Sequence, residues 1–206
     1  MKKIFLVILT AHSLFCADIS ALKLNCQNGD KSSCINFLYA NKDQNENVNF
    51  TKKLCDEGNF LACDLLGNLY QKGLGIQKDD IKAFELYKKS CDGKELEGCL
   101  ALGSAYLNGI GTKKDLKKGK EILENVAKNG DLRSKTFANF TLFGFDEKTL
   151  KNAKELCSND EYFDSCFLLG LHYLGANEKD KAKEIFNKIC QKGVDFACAE
   201  YKKLEF

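Results

Sequence analysis

Ten of the eleven cysteines in the chain stand in five close pairs. Cys26 and Cys34, Cys55 and Cys63, Cys91 and Cys99, and Cys190 and Cys198 are each eight positions apart, and Cys157 and Cys166 are nine apart. On one continuous helix, residues eight apart lie about 12 Å apart along the axis. A disulfide needs its Cα atoms within roughly 7 Å. The chain must therefore turn back between the partners, and the intervening "QNGD", "DEGN", "DGKELEG" and "QKGV" hold the glycines and turn formers that such a reversal uses. Each pair is expected to staple the end of one helix to the start of the next, giving the local connectivity Cys26–Cys34, Cys55–Cys63, Cys91–Cys99, Cys157–Cys166 and Cys190–Cys198.

Other roles for these cysteines fit poorly. No CxxC occurs, so a thioredoxin-like redox site has no motif. Zinc sites favour cysteines two to four residues apart and usually add histidine. An even, regularly spaced set is instead the mark of a disulfide framework in an oxidising compartment. The start of the chain agrees. "MKKIFLVILTAHSLFCA" has Lys2 and Lys3 before an apolar run from Ile4 to Phe15, the pattern of a secretory signal peptide over residues 1–17. A lipoprotein role for Cys16 is disfavoured by the bulky Phe15 before it. The expected location is periplasmic or secreted. Without Lys2 and Lys3 the 31 basic residues become 29, equal to the 29 acidic ones. A neutral chain lacks the broad positive field of a nucleic-acid binder, and no segment is long and apolar enough to predict a membrane span.

The absence of proline suits a helical chain, and the pairs mark a repeat. Repeat starts fall near 26, 55, 91, 127, 157 and 190. Periods of this size signify stacked helical hairpins. "ACDLLGNLYQKGLGIQKDDIKAFELYKKSC" from Ala62 and "GCLALGSAYLNGIGTKKDLKKGKEILENVA" from Gly98 align without a gap: Leu66 with Leu102, Gly67 with Gly103, Tyr70 with Tyr106, Gly73 with Gly109, Gly75 with Gly111. Each unit predicts a helix A, a glycine loop and a helix B. Gly67 inside a helix costs roughly 1 kcal/mol against alanine, so a neighbouring helix is expected to approach closely there. Asp79 or Asp80 is the expected cap of helix B, and Ala83, Phe84 and Tyr87 its buried stripe. The unit from Ala127 lacks a cysteine pair, and its Phe137, Phe140, Phe143 and Phe145 are expected to fill the space. "DISALKLNC" and "VDFACAEYKKLEF" are atypical end units, as expected of solenoid caps. The fold class expected is all-α, an α/α superhelical solenoid over residues 18–206, in which each disulfide restrains the unfolded chain by about 2–3 kcal/mol.

"ACDLLGNLYQKGLGIQKDDIKAFELYKKS" resembles the Sel-one-like repeat (SLR), a relative of the tetratricopeptide repeat. With the CxxxxxxxC pairs and the signal peptide, the chain resembles the Helicobacter cysteine-rich protein family. That resemblance implies a right-handed α/α superhelix with a bridge between consecutive helices, export from the cytoplasm, and an association with penicillin binding and β-lactamase activity.

The residues themselves show little catalytic chemistry. "SALK" (Ser20, Lys23) matches the SxxK of serine β-lactamases, but SDN and KTG are missing and a short pattern in a lysine-rich chain arises by chance. Only His172 remains after signal removal, too few histidines for a metallo-β-lactamase, and any Ser-His-Asp triad would have to use it. No cofactor or metal motif is present. "KDQNENVNF" (Lys42 to Phe50) reads as a solvated polar loop. "KKDLKKGK" (Lys113 to Lys120) reads as a solvated basic face, with contact to an anion or cell wall as the alternative. Tyr70, Tyr106 and Tyr173 read as core, and the sequons at Asn49 and Asn139 establish no glycosylation. Solenoids bind through their concave surface. Its expected lining is Asp64, Asn68, Leu100, Ser104, Phe167, Leu171 and His172. The expected ligand there is a protein, a peptide or a peptidoglycan-like fragment, so the chain reads as a binding or scaffold module. β-Lactams are the alternative, and with them hydrolysis.

Overall fold

The structure is a computed structural model that describes residues 19–158, 162–192 and 194–204. The expected signal peptide lies outside the described residues. Twelve α-helices follow in order among the described residues: α1 (Ile19–Gln27), α2 (Lys31–Ala40), α3 (Gln44–Asp56), α4 (Phe60–Lys72), α5 (Asp80–Asp92), α6 (Leu96–Asn108), α7 (Leu116–Asn129), α8 (Leu132–Phe143), α9 (Glu147–Ser158), α10 (Phe163–Gly175), α11 (Lys179–Cys190) and α12 (Asp195–Lys203). The chain divides into a first unit ending at Gly98 and a second beginning at Cys99. In the first, α1 packs on α2, α3 on α4 and α4 on α5; in the second, consecutive helices pack from α7 through α12.

Short polar side chains start these helices. Asp30, Asp43, Asn59, Asp79, Asp115 and Asp131 cap α2, α3, α4, α5, α7 and α8, each accepting a hydrogen bond from a backbone N–H of the first turn. Such caps satisfy amides that have no partner within the helix. At the other end of α4, Gly73 takes the left-handed conformation (φ 68°) that closes the helix. Two residues on, Gly75 combines a positive φ with contact: a Cβ there would stand 2.4 Å from the carbonyl oxygen of Gln44. The glycine loop is thus pinned to the start of α3.

The disulfides are local, as the spacing predicts. Cys26–Cys34, Cys55–Cys63, Cys157–Cys166 and Cys190–Cys198 are formed, with Cα atoms 4.5, 4.6, 4.5 and 4.5 Å apart. Cys91 and Cys99 are disulfide-bonded as well. Most of these sulfurs belong to the core. Phe37 and Phe50, with ring centroids 4.7 Å apart, pack beside two of the bridges in the first unit. Leu169, Phe186 and Ile189 pack with Cys157 and Cys166 in the second.

The mid-helix glycines have the role expected of them, three times over. A Cβ on Gly67 of α4 would meet the Tyr87 ring of α5 at 2.6 Å. On Gly103 of α6 it would meet Leu123 of α7 at 2.7 Å, and on Gly170 of α10 it would meet Phe186 of α11 at 2.5 Å. Tyr87, Leu123 and Phe186 are fully buried. Helix A of each of these repeats gives up one side chain so that a large group of helix B can lie against its backbone.

One expectation is overturned. The polar run from Lys42 to Phe50 is not a solvated loop: α3 begins at Gln44. Asp43 accepts from the Asn45 and Glu46 amides, and Asn47 lies inside the protein at 0% exposure. The Asn47 amide donates to the carbonyls of Leu38 and Asn41, and its oxygen accepts from the Asn41 side chain. A buried amide is tolerated because its bonds are made, and its polarity conceals the helix in the sequence. The same helix carries the sequon at Asn49, whose Thr51 hydroxyl is buried and donates to the Asn47 carbonyl. The other sequon is helical too, with Asn139 buried.

The unit without a cysteine pair is held differently. Arg133 of α8 bonds the Asp164 carboxylate of α10 through Nε at 2.8 Å and through its terminal nitrogen, and lies 5.7 Å over the Phe137 ring. Phe140 and Phe145 pack as a tilted pair 4.7 Å apart, as expected, but Phe143 is 65% exposed and does not fill the space. Packing and an ion pair restrain the native state alone, whereas a disulfide also restrains the unfolded chain.

Two predictions follow from this packing. Gly67→Ala, Gly103→Ala and Gly170→Ala should each destabilise by about 1–3 kcal/mol through overpacking, despite the higher helix propensity of alanine. Gly175→Ala, at the end of α10 with nothing within 4 Å of the added Cβ, should be neutral or stabilising. Urea midpoints of the four variants check this. Placing cysteines at Ala127 and Lys135, which are eight apart like the native pairs, should bridge α7 to α8. It should raise stability by about 2–3 kcal/mol and slow hydrogen exchange in α8, which in the unmodified chain should exceed that of α4 and α5.

Candidate functional site

The residues expected to line a ligand face occupy helix A positions in both units. In the first unit they form a polar network on α4. Asp64 is 5% exposed. Asn68 donates from its amide to the Asp64 carbonyl at 3.1 Å and to its carboxylate at 3.3 Å. The Tyr87 hydroxyl reaches Asn68 Oδ1 at 3.3 Å and Gln71 Oε1 at 2.9 Å. Burial, together with the charges of Asp64 and Asp80, pushes the Tyr87 hydroxyl well above its ordinary range, so it remains a donor. The half-buried amide of Asn68 is thereby fixed in one orientation. Sequence reasoning found Asp64 and Asn68 but missed Tyr87 and Gln71. Tyr87 belonged to the predicted stripe of helix B, and nothing in the spacing told that its hydroxyl crosses to helix A.

In the second unit the corresponding positions become apolar along the chain. Leu100 and Ser104 of α6 are half-buried. Phe167 of α10 packs on Phe186 with centroids 5.3 Å apart. Leu171 is 39% exposed, and Phe143, at the end of α8, is 65% exposed. His172 sits in the last turn of α10, its ring 4.7 Å from Phe145 and 5.6 Å from Tyr173. These two rings give it the setting of a packing residue, and the Glu178 carboxylate lies within electrostatic reach of it.

The SxxK match is explained in structural terms. Lys23 of α1 forms an ion pair with Glu46 at 2.6 Å and lies 5.9 and 5.2 Å from the ring centres of Phe37 and Phe50. Hydrogen bonds from Lys23, chiefly, and from Asn41 lower the pKa of Glu46. An ammonium engaged in this way is poorly placed to act as the base for Ser20. Among the described residues no cluster of His, Cys, Asp and Glu could hold a metal, and no helix is long and apolar enough to cross a membrane.

Tyr70 and Tyr173 pack against the core clusters, as their spacing suggested, but none of the three repeated tyrosines is fully buried. They are half-buried, and each carries a lysine over its ring: Lys82 on Tyr70 at 5.4 Å, Lys118 on Tyr106 at 5.5 Å and Lys181 on Tyr173 at 5.2 Å. Each of these lysines also pairs with the acid that opens its helix, Asp79, Asp115 or Glu178. The acid's backbone amide in turn bonds the tyrosine carbonyl. This arrangement closes the loop between helix A and helix B. It leaves a shallow 330 Å³ depression beside Tyr70, lined by Ile76, Gln77, Lys78, Asp79 and Lys82. A second depression, of 390 Å³, lies between the exposed Phe60 ring and Glu85, Lys88, Lys89, Asp92 and Gly93. The five lysines from Lys113 to Lys120 are all exposed, as expected of a solvated face.

The Sel1 repeat family model matches residues 61–94 and 96–131. No curated protein matches the chain. Among solved structures it is similar to a Sel1 repeat protein from Oxalobacter formigenes, with a TM-score of 0.51 and 17% identity over 90% of this chain. A protective antigen of uropathogenic Escherichia coli strains that displays an SLR fold gives 0.46 and 22% over 89%. The chain spans 58% and 43% of the lengths of those two proteins. Residues 61–94 and 96–131 thus match the Sel1 repeat, and the described residues have an all-α fold similar to that of a Sel1 repeat protein.

Proposed function

We propose that this protein is an exported, disulfide-stapled binding or scaffold module, whose ligand is a protein, a peptide or a peptidoglycan-like fragment held by helix A side chains. The carrying observation is that helix A retains side chains that packing does not consume. Asn68 and Gln71 on α4 are polar and oriented by Tyr87, and Leu171 and Phe143 in the second unit are exposed and apolar. A side chain ordered before the ligand arrives lowers the entropic cost of binding. Sel1-type repeats are small units with exposed faces, a format that suits macromolecular binding. Ten cysteines engaged in disulfides support an oxidising compartment. The resemblance to the Helicobacter cysteine-rich family supports the same compartment. Its associated β-lactamase activity is not part of the proposal, because Lys23 is committed to Glu46 and His172 to an aromatic cluster.

The test uses purified, oxidised protein. Binding to isolated peptidoglycan sacculi by co-sedimentation, and to an unbiased peptide array, should be retained by His172→Ala. It should fall by about tenfold or more in Ser104→Glu or Leu171→Glu with the helical circular dichroism unchanged, since a charge set into a contact costs on the order of 1–3 kcal/mol. Turnover of a chromogenic cephalosporin should be absent. Turnover that His172→Ala abolishes in a folded protein would overturn the reading, as would binding indifferent to both glutamate variants.

A further inference from the structure

Lys31 is the first residue of α2, yet its ammonium bonds Glu95 Oε1 and stands 3.6 Å from Glu97 Oε2, at a sequence separation of 64 from Glu95. The two carboxylates are well covered, with side chains 13% and 18% exposed, against 55% for Lys31. They cannot readily move apart. Glu95 lies in the turn between α5 and α6, where its amide bonds the Ser90 carbonyl and Lys94 before it takes a φ of 65°. Cys91 and Cys99 on either side are disulfide-bonded. One ammonium thus faces both acids, and Glu97 raises the pKa of Glu95. Two covered carboxylates on a single ammonium repel each other when both are ionised, which favours one proton held on the pair.

We propose that Lys31, Glu95 and Glu97 form a proton-operated latch between the start of α2 and the α5–α6 turn, closed in mild acid and weakened in mild base. With one proton between the two acids, the pair and the lysine are balanced in charge. When that proton leaves, two well-covered carboxylates share one ammonium. Burial, and then Glu97, push Glu95 up to about 7, against the smaller lowering effect of Lys31. The pKa of Lys31 is raised on balance: burial lowers it, and Glu95 and Glu97 outweigh that. The charged groups acting on Glu95 are Lys31 from α2 and Glu97 from α6. Asp92 and Lys94 flank it in the turn, and Asp30 caps α2 beside Lys31. The sign follows from a carboxyl whose folded-state value lies above its ordinary 4.5. Its contribution to stability is complete below about 4.5 and is lost as pH rises through about 7.

Hydrogen exchange of the full oxidised chain tests this, with rates corrected for the intrinsic effect of pH. Protection of the α2 amides should fall by about tenfold or more between pH 5 and pH 8, each unit of pKa difference corresponding to a factor of ten. Glu95→Gln, which cannot ionise, should hold its protection at pH 8, and Glu97→Gln provides the same readout should Glu95→Gln not fold. Lys31→Met removes the counter-charge and should make the fall larger than in the unmodified protein. A glutamine variant that shows the unmodified protein's pH dependence would overturn the latch, as would a Lys31→Met protein whose dependence is unchanged.

Discussion

The distance between helix A and helix B within a repeat is set by an absent side chain. At Gly67, Gly103 and Gly170 the backbone of one helix lies against Tyr87, Leu123 and Phe186 of the next, closer than any Cβ would allow. Each glycine weakens its own helix, and the large buried group it admits returns more in burial, about 1.5–3 kcal/mol for a side chain of this size. The rest is arranged around that contact. Once it is formed, Ala83 and Ala182 are fully buried, and the loop can be drawn in tightly enough for Gly75 to touch Gln44. Tyr87 then reaches Asn68 and Gln71 with its hydroxyl, so the packing contact also orients the candidate ligand side chains.

A contact of this kind is strong locally and silent about anything beyond the neighbouring helix. Repeats built from such pairs have no central core to share, and the disulfides supply what is lacking by holding helix B of one repeat to helix A of the next. Where the cysteines are missing, between α7 and α8, α8 is held instead to α10, by the chain's one arginine bonded to Asp164, and Phe140 packs on Phe145. Arginine suits that task because two N–H groups of its planar fork converge on one carboxylate oxygen, Asp164 Oδ2. The two solutions differ in kind: one is covalent and acts on the unfolded chain, the other depends on the folded geometry.

Much of this architecture was legible in the sequence because its determinants are short-range. Cysteine spacing demanded a reversal at every pair, and the glycines of the loop and of helix A repeated at fixed intervals from Gly67 to Gly111. Asp79 declared itself as a cap. The hidden parts are those in which polar residues do structural tasks at long range. Asn47 looked like a loop residue because a buried amide and a solvated one are the same letter. The lysines over Tyr70, Tyr106 and Tyr173 were hidden because the partners sit on different helices. Lys31 and Glu95 are 64 positions apart, which no local pattern can join. The ligand-facing positions of α4 and α10 could be nominated from the alignment, but whether a nominated side chain is available, like Leu171, or already spent on its neighbours, like Asp64, depends on three-dimensional partners.

The shortness of the disulfide loops also governs how the bonds come to be made. Ten cysteines offer a large number of wrong pairings, and a chain with interleaved bridges must try and discard many of them. Here each cysteine's partner is eight or nine residues away, and the probability that two points on a flexible chain meet falls as the segment between them lengthens. The nearest cysteine is therefore both the kinetically favoured partner and the native one. A chain that emerges amino-terminus first can oxidise each pair as soon as the second cysteine appears, before the next pair has arrived to compete. Order of appearance thus becomes a proofreading mechanism, and the repeat architecture delivers correct bridges with little call on enzymes that reshuffle mistaken ones.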